Sequence, residues 1–174
     1  GNTQSIEMEF NTTNSYLYCL SKQNLYVIDP TSNSLVSAIT FSNPSWTAFD
    51  MELNPINGDI YISYDNAARV DVWDATNFTS TETYTINSTD PLFPVGVSRT
   101  GAMVFNDYEG DMYITTDADS VLRVNGGPTD NFLINPQDRS IQTVYNVLGL
   151  THSIFYEPVY EAIYTWGSAS LYKI

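Results

Sequence analysis

The chain holds one histidine, His152, and one cysteine, Cys19, so a nucleophile activated by a neighbouring base has few places to sit. A Ser-His or Cys-His mechanism needs the base within hydrogen-bond reach of the nucleophile. Ser153 follows His152 directly, and consecutive strand residues point to opposite faces, so His152 reads as a structural histidine. Cys19 stands inside an apolar strand pattern and reads as a small core residue. Carboxylates are the remaining resource. Glu7 with Glu9, and Asp71 with Asp74, are close pairs of the kind a glycosidase uses as acid and base. Spacing does not set the distance between their carboxyl groups, and alternating acids on a strand are expected on its solvent face. Asp117 and Asp119 can point the same way and are the candidate metal ligands, with Asp65-Asn66 and Asp107 in comparable loops. Calcium, which takes about six to eight oxygen ligands, is the ion such loops suit. Asp and Asn also populate turns by bonding their own backbone, and no calcium-loop motif is present. Gly126-Gly127-Pro128 reads as a turn, not a phosphate loop. Trp46, Trp73 and Trp166 suit either a sugar-binding face or a core. No catalytic or cofactor-binding constellation emerges.

The elements that would position these groups are strands. Aromatic residues make up 14% of the chain and 13 of them are Tyr, which favours pleated, half-buried surfaces. Charged residues, at 15%, are too few for long helices or coiled coils. A net charge of −14 repels phosphate backbones and anionic lipid, so nucleic acid is not an expected partner. No apolar run approaches the roughly 18 residues of a membrane helix, and no membrane insertion is expected. The lone Cys19 forms neither an internal disulfide nor a zinc site. Sequons at Asn11, Asn77 and Asn87 point to a secreted protein. Asn77 and Asn87 are expected in exposed connections around a fourth strand, and Asn11 in the first hairpin turn.

A repeat organises the chain. Tyr18, Tyr61, Tyr113 and Tyr164 each sit in an apolar strand, at intervals of 43, 52 and 51 residues. Propeller blades run about 40–50 residues. Each of these strands follows another apolar strand and a tight turn, as in Phe49-Asp50-Met51-Glu52-Leu53 before Ile60-Tyr61-Ile62. Asn57-Gly58 between them predicts a type I′ turn. A third strand follows in every repeat, as in Leu25-Tyr26-Val27-Ile28, and a fourth closes the first three, as in Leu35-Val36-Ser37-Ala38-Ile39. The repeats run roughly over 6–41, 48–86, 94–144 and 152–174, with the last one short of its outer strand. Sheets that cannot bury both faces alone are stable when stacked in a ring. The reading is an all-β chain, one β-propeller-type domain over 1–174 with about four blades of four antiparallel strands. Immunoglobulin-like sandwiches would show a Cys…Trp…Cys core and no such period.

Tyr26-Val27-Ile28-Asp29-Pro30-Thr31-Ser32-Asn33 through Ile39 resembles the YVTN-type repeat of surface-layer and related propeller proteins. Tyr61-Ile62-Ser63-Tyr64 and Tyr113-Ile114-Thr115-Thr116 stand where that family has its Tyr-Val-Thr-Asn stretch. Val72-Trp73-Asp74 is similar to the strand end of a WD repeat, without its Gly-His. The resemblance implies a propeller on a cell surface, acting as a binding or scaffold module, and carries over no functional residue. The expected function is therefore an extracellular, non-enzymatic module for a protein or glycan partner. The rival is a calcium-assisted propeller hydrolase such as a lactonase. The edge strand Leu171-Tyr172-Lys173-Ile174 is expected to pair with further blades or to self-associate with a neighbouring chain.

Overall fold

The structure is a computed structural model that describes residues 5–86, 96–107, 111–117, 120–124, 141–146, 153–166 and 171–173. These residues form antiparallel sheets and no helix, so none is long and apolar enough to cross a membrane. The first sheet holds β1 (Ser5–Asn11), β2 (Tyr16–Ser21), β3 (Asn24–Asp29) and β4 (Ser34–Thr40). The second holds β5 (Ala48–Leu53), β6 (Ile60–Tyr64), β7 (Arg69–Trp73) and β8 (Ser80–Thr85). The third holds β9 (Thr100–Asn106), β10 (Asp111–Thr116), β11 (Ser120–Val124) and β12 (Ile141–Asn146). The fourth has three strands, β13 (Ser153–Glu157), β14 (Ala162–Trp166) and β15 (Leu171–Lys173). In each sheet the strands lie side by side in chain order, so every sheet is a meander of the kind that makes a propeller blade.

The tyrosine repeat is a structural equivalence. Tyr18 pairs with Glu9, Tyr61 with Glu52, Tyr113 with Val104 and Tyr164 with Phe155, each joining the first and second strands of its blade. The second, third and fourth blades each seat two first-strand residues on the blade before. Met51 is buried with Tyr18 and Leu20 of the first blade, with Leu53 beside them. Met103 and Phe105 are buried with Tyr61 and Val70 of the second, and Ile154 and Tyr156 pack with Tyr113 of the third. The inner blades are therefore covered on both faces. The described side chains of β6 and β10 are buried at every position, while β2 and β14 each keep positions that are half-buried or exposed. This is why Ile60-Tyr61-Ile62 reads as a continuous apolar run rather than an alternating one.

Five of the hairpin turns share one design, which differs from the type I′ turn expected at Asn57-Gly58. Residue i accepts the N–H of i+2 on its side chain, and residue i+4 takes a left-handed φ. Asn11, Asp29, Asn54, Asp74 and Glu157 are the acceptors, bonded by Thr13, Thr31, Ile56, Thr76 and Val159 at 2.6–3.2 Å. The left-handed residues are Ser15, Asn33, Gly58, Phe78 and Glu161. A type I′ turn needs positive φ at both central residues, and here Gly58 alone has it, at 81°. Gly58 is also crowded: a Cβ there would lie 3.1 Å from the Asn11 side chain and 3.3 Å from Thr13. Gly58→Ala is expected to cost roughly 1–3 kcal/mol, read as a lower urea midpoint with an unchanged denaturant slope.

Candidate functional site

The first strand of each blade lies innermost, with one edge turned away from its own sheet. Two acids on such a strand reach that edge on the next blade. Glu7 Oε2 accepts the Met51 N–H at 2.8 Å, and Glu9 Oε2 accepts that of Leu53 at 3.2 Å. One blade on, Asp50 Oδ2 accepts the Met103 N–H at 2.6 Å and Glu52 Oε1 that of Phe105 at 3.3 Å. The four carboxyl groups form a ladder that pins three inner strands together. In the third blade Ala102 and Val104 occupy the positions of Asp50 and Glu52 by register, so the next joint is apolar. The expectation that Glu7 and Glu9 line a solvent face is corrected: they are half-buried and turned onto β5.

Burial and crowding raise the proton affinity of three of these acids, Glu9, Asp50 and Glu52. Burial first, then the nearby Glu9 and Glu7 charges, pushes Glu52 up to about 8. Burial and the Glu7 charge push Glu9 up to about 7. Asp50 is raised above the usual carboxylate range by burial, then by its hydrogen bond to Glu7 and by the Glu7 charge. Asp50 and Glu52 thus hold protons at neutral pH, because ionising them would set like charges side by side in a poorly solvated place. Beside Glu9 a cavity of about 340 Å³ opens between the first two blades, lined by Phe10, Asn11, Thr13, Leu53 and Pro55.

Asp71 and Asp74, paired in the sequence, are separated in role. Asp71 is buried and accepts from Tyr64 Oη at 2.7 Å, Thr83 Oγ1 at 2.8 Å and Arg69 Nε at 3.0 Å, with Arg69 Nη2 closing an ion pair. The Arg69 guanidinium lies 3.8 Å from the Trp46 ring centroid. Asp74 caps the β7–β8 turn.

The candidate metal ligand Asp117 is occupied otherwise. One oxygen accepts the N–H groups of Ser98 and Arg99 at 2.9 and 3.2 Å, the other accepts the Ser98 hydroxyl, and Arg99 Nε lies 3.8 Å away. These bonds and the Arg99 charge outweigh burial and hold its carboxyl below the usual range. Arg99 also bonds Asp65 at 3.0 Å. Among the described residues no three His, Cys, Asp or Glu side chains gather as a metal cluster. Asp119, His152 and Asn87 lie outside the described residues.

Asn11 ends β1 at the first hairpin turn, and it is buried. Its Nδ2 donates to Gly58 O at 2.9 Å, across to the second blade. That burial removes the Asn11 sequon as an argument for secretion. Asn77 is exposed in the β7–β8 turn. Trp46 and Trp73 pack against one core cluster, on Tyr64 and Phe41, with Arg69 over the Trp46 ring, while Trp166 is exposed on the fourth blade. Sequence reading passed over Asp50, Glu52 and Arg69. The alternation in Phe49-Asp50-Met51-Glu52-Leu53 matches that around Glu7 and Glu9, and was the available signal.

A second surface is defined by topology. In the first, second and fourth blades the turns between first and second strands emerge at one end. There Val159 and Tyr160 are 78% and 72% exposed at the tip of the β13–β14 turn, and Ile56 is exposed on the corresponding β5–β6 turn. The cavity beside Glu9 opens among the same set of turns.

No family model matches the chain, and comparison with curated proteins finds no relative. Solved propellers match its fold. The chain is similar over its whole length to U3-55K, with a TM-score of 0.68 and 11% identity. It is likewise similar to the RRP9 WD40 repeats, with a TM-score of 0.66 and 12% identity. In both cases it spans about half of the matched chain, 52%. The arrangement is a β-propeller of about four blades.

Proposed function

We propose that the chain is an extracellular, non-enzymatic binding module whose contact surface is the face formed by the hairpin turns. The carrying observation is the exposure of Val159 and Tyr160 on a turn held rigid by Glu157, whose carboxylate accepts the N–H groups of Val159 and Tyr160. Large side chains presented on a rigid scaffold are the usual anchors of protein interfaces. The inner-strand acids, the groups a hydrolase would draw on, already bond the next blade's N–H groups. The YVTN-like repeat and the exposed Asn77 support the cell-surface setting.

The test is a screen of the purified chain against immobilised peptide and glycan arrays. Val159→Asp with Tyr160→Asp is expected to lower peptide capture at least tenfold, while Leu35→Asp on the outer strand leaves it unchanged. Glycan capture that survives the turn substitutions would move the contact to another face. Turnover of lactones dependent on added calcium would replace the reading with the hydrolase.

A further inference from the structure

We infer that the cavity between the first two blades seats a lysine or arginine side chain from a basic partner segment. The inference rests on the reading that the turn face is the contact surface, and it names the chemistry of the partner.

The cavity belongs to a joint between two neighbouring blades of the chain. Its walls come from residues 9–13, where β1 runs into its turn, and from 53–55, where β5 does the same. Ligand pockets run from about 300 to 1,000 Å³, so a volume of about 340 Å³ suits one side chain. The walls are set before a partner arrives. Asn11 and Asn54 each accept a turn N–H on the amide oxygen, from Thr13 and Ile56, and Asn11 also ties the two turns together through Gly58. Leu53 and Pro55 offer apolar surface to an aliphatic stem, which is how long cationic side chains bury their methylenes.

Glu9 is the one ionisable residue in the lining. One of its oxygens accepts the Leu53 N–H, and a carboxylate has about four acceptor sites over its two oxygens. The charged groups around it are acids. Glu7 lies along β1, Glu52 faces it from β5, and Asp50 stands beyond them, bonded to Glu7, while Tyr18 is opposite on β2. Among the described residues the ion pairs use Arg69 and Arg99, on Asp71, Asp65 and Asp117. A cation from a partner relieves this crowding, whereas an anion would add to it.

The surroundings select the same sign. Asp29, Asp59, Asp74, Glu157 and Glu161 stand at the turn end of their blades. The β1–β2, β3–β4, β5–β6, β7–β8 and β13–β14 turns there hold no Lys or Arg. Lys22, Arg69 and Arg99 stand at the opposite end. A face of one sign steers partners of the other and fixes how they dock.

Fluorescence anisotropy tests the pocket with labelled peptides of one neutral Gly-Ser background carrying two lysines, two arginines or two acetyl-lysines. The cationic peptides are expected to bind about tenfold tighter than the acetylated one. A preference between lysine and arginine supports the pocket and identifies the head group it takes. Glu9→Gln keeps an acceptor for the Leu53 N–H and is expected to weaken the cationic peptides about tenfold. Thr12→Lys, which sets a resident cation at the exposed rim, should do the same. Asp65→Asn, at the far end of the second blade, should leave binding unchanged. Burial and Glu7 hold Glu9 up at about 7, so affinity should rise from pH 6 to pH 8, and Glu9→Gln should flatten that rise. Equal binding of the acetylated peptide overturns the proposal. So does a loss spread evenly over Glu9→Gln, Asp29→Asn and Asp74→Asn, which would make the attraction a property of the whole face. Capture that ignores peptide charge yet is lost on Val159→Asp with Tyr160→Asp overturns the pocket alone and keeps the turn face. A turn face that captures no peptide overturns both.

Discussion

Replacing Asp50 by Asn is expected to stabilise the protein at pH 8, to leave it nearly unchanged near pH 4, and so to flatten its stability profile. The sign follows from proton counts. Acids whose folded pKa lies above the unfolded value bind more protons in the folded state, so stability falls as pH rises between the two values. For Glu52 that interval runs from an ordinary 4.5 to about 8, and for Glu9 from 4.5 to about 7. Their stabilising contribution is complete below about 4.5, is lost progressively as pH rises, and is gone above about 8. This is the reverse of the usual salt-bridged carboxylate. Asp50 is raised by the same burial and by Glu7. Asparagine keeps both of its bonds there: Oδ1 can accept the Met103 N–H and Nδ2 can donate to Glu7, with no proton to lose. Each pKa unit is worth about 1.4 kcal/mol. Allowing for partial solvent screening, the gain at pH 8 is about 2–4 kcal/mol, or roughly 5–15 °C in Tm for a chain of this size. Thermal melts of the two proteins from pH 4 to pH 9 decide it. An Asp50→Asn protein that is less stable than the natural one at pH 8 would show that the ladder is ionised and held by something else.

The ladder also shows where sequence reading stops. Period-two alternation tells which residues share a face of a strand, so Glu7 goes with Glu9, and Met8 with Phe10. It does not tell which face meets solvent. In a propeller the inner strands have a neighbour on the axial side, and acids that look solvent-facing become acceptors for the next strand's N–H groups. The four tyrosines were legible because period and local pattern coincide, and their strand pairings are equivalent from Tyr18 to Tyr164. Asn11 and Asp117 were not. Their partners Gly58 and Ser98 lie 47 and 19 residues away, in other segments, and nothing local separates a capping side chain from a glycan acceptor or a calcium ligand. The turns fall between these cases. Asp29-Pro30-Thr31 carries its acceptor in plain view, yet the left-handed residue four positions later is Asn33, Gly58, Ser15, Phe78 or Glu161. Only two of those, Gly and Asn, are types that favour the conformation.

The largest single loss is expected at Arg69. Its guanidinium neutralises Asp71, which is buried between β6 and β8, and stacks on Trp46 from the connection leading into the second blade. Arg69→Met removes the cation and leaves Asp71 to the hydroxyls of Tyr64 and Thr83. Breaking one partner of a buried pair strands the other charge, at a cost of about 3–5 kcal/mol. Loss of the Trp46 contact adds about 0.5–1 kcal/mol. Asp71→Asn in the same background should recover part of the loss, since the amide oxygen still accepts from Tyr64 or Thr83 and no charge remains. The double variant is thus expected to be more stable than Arg69→Met alone. Urea unfolding of the natural chain, both single variants and the double measures the coupling. Additive losses would mean that Arg69 acts through packing on Trp46, with Asp71 held by its hydroxyl donors alone.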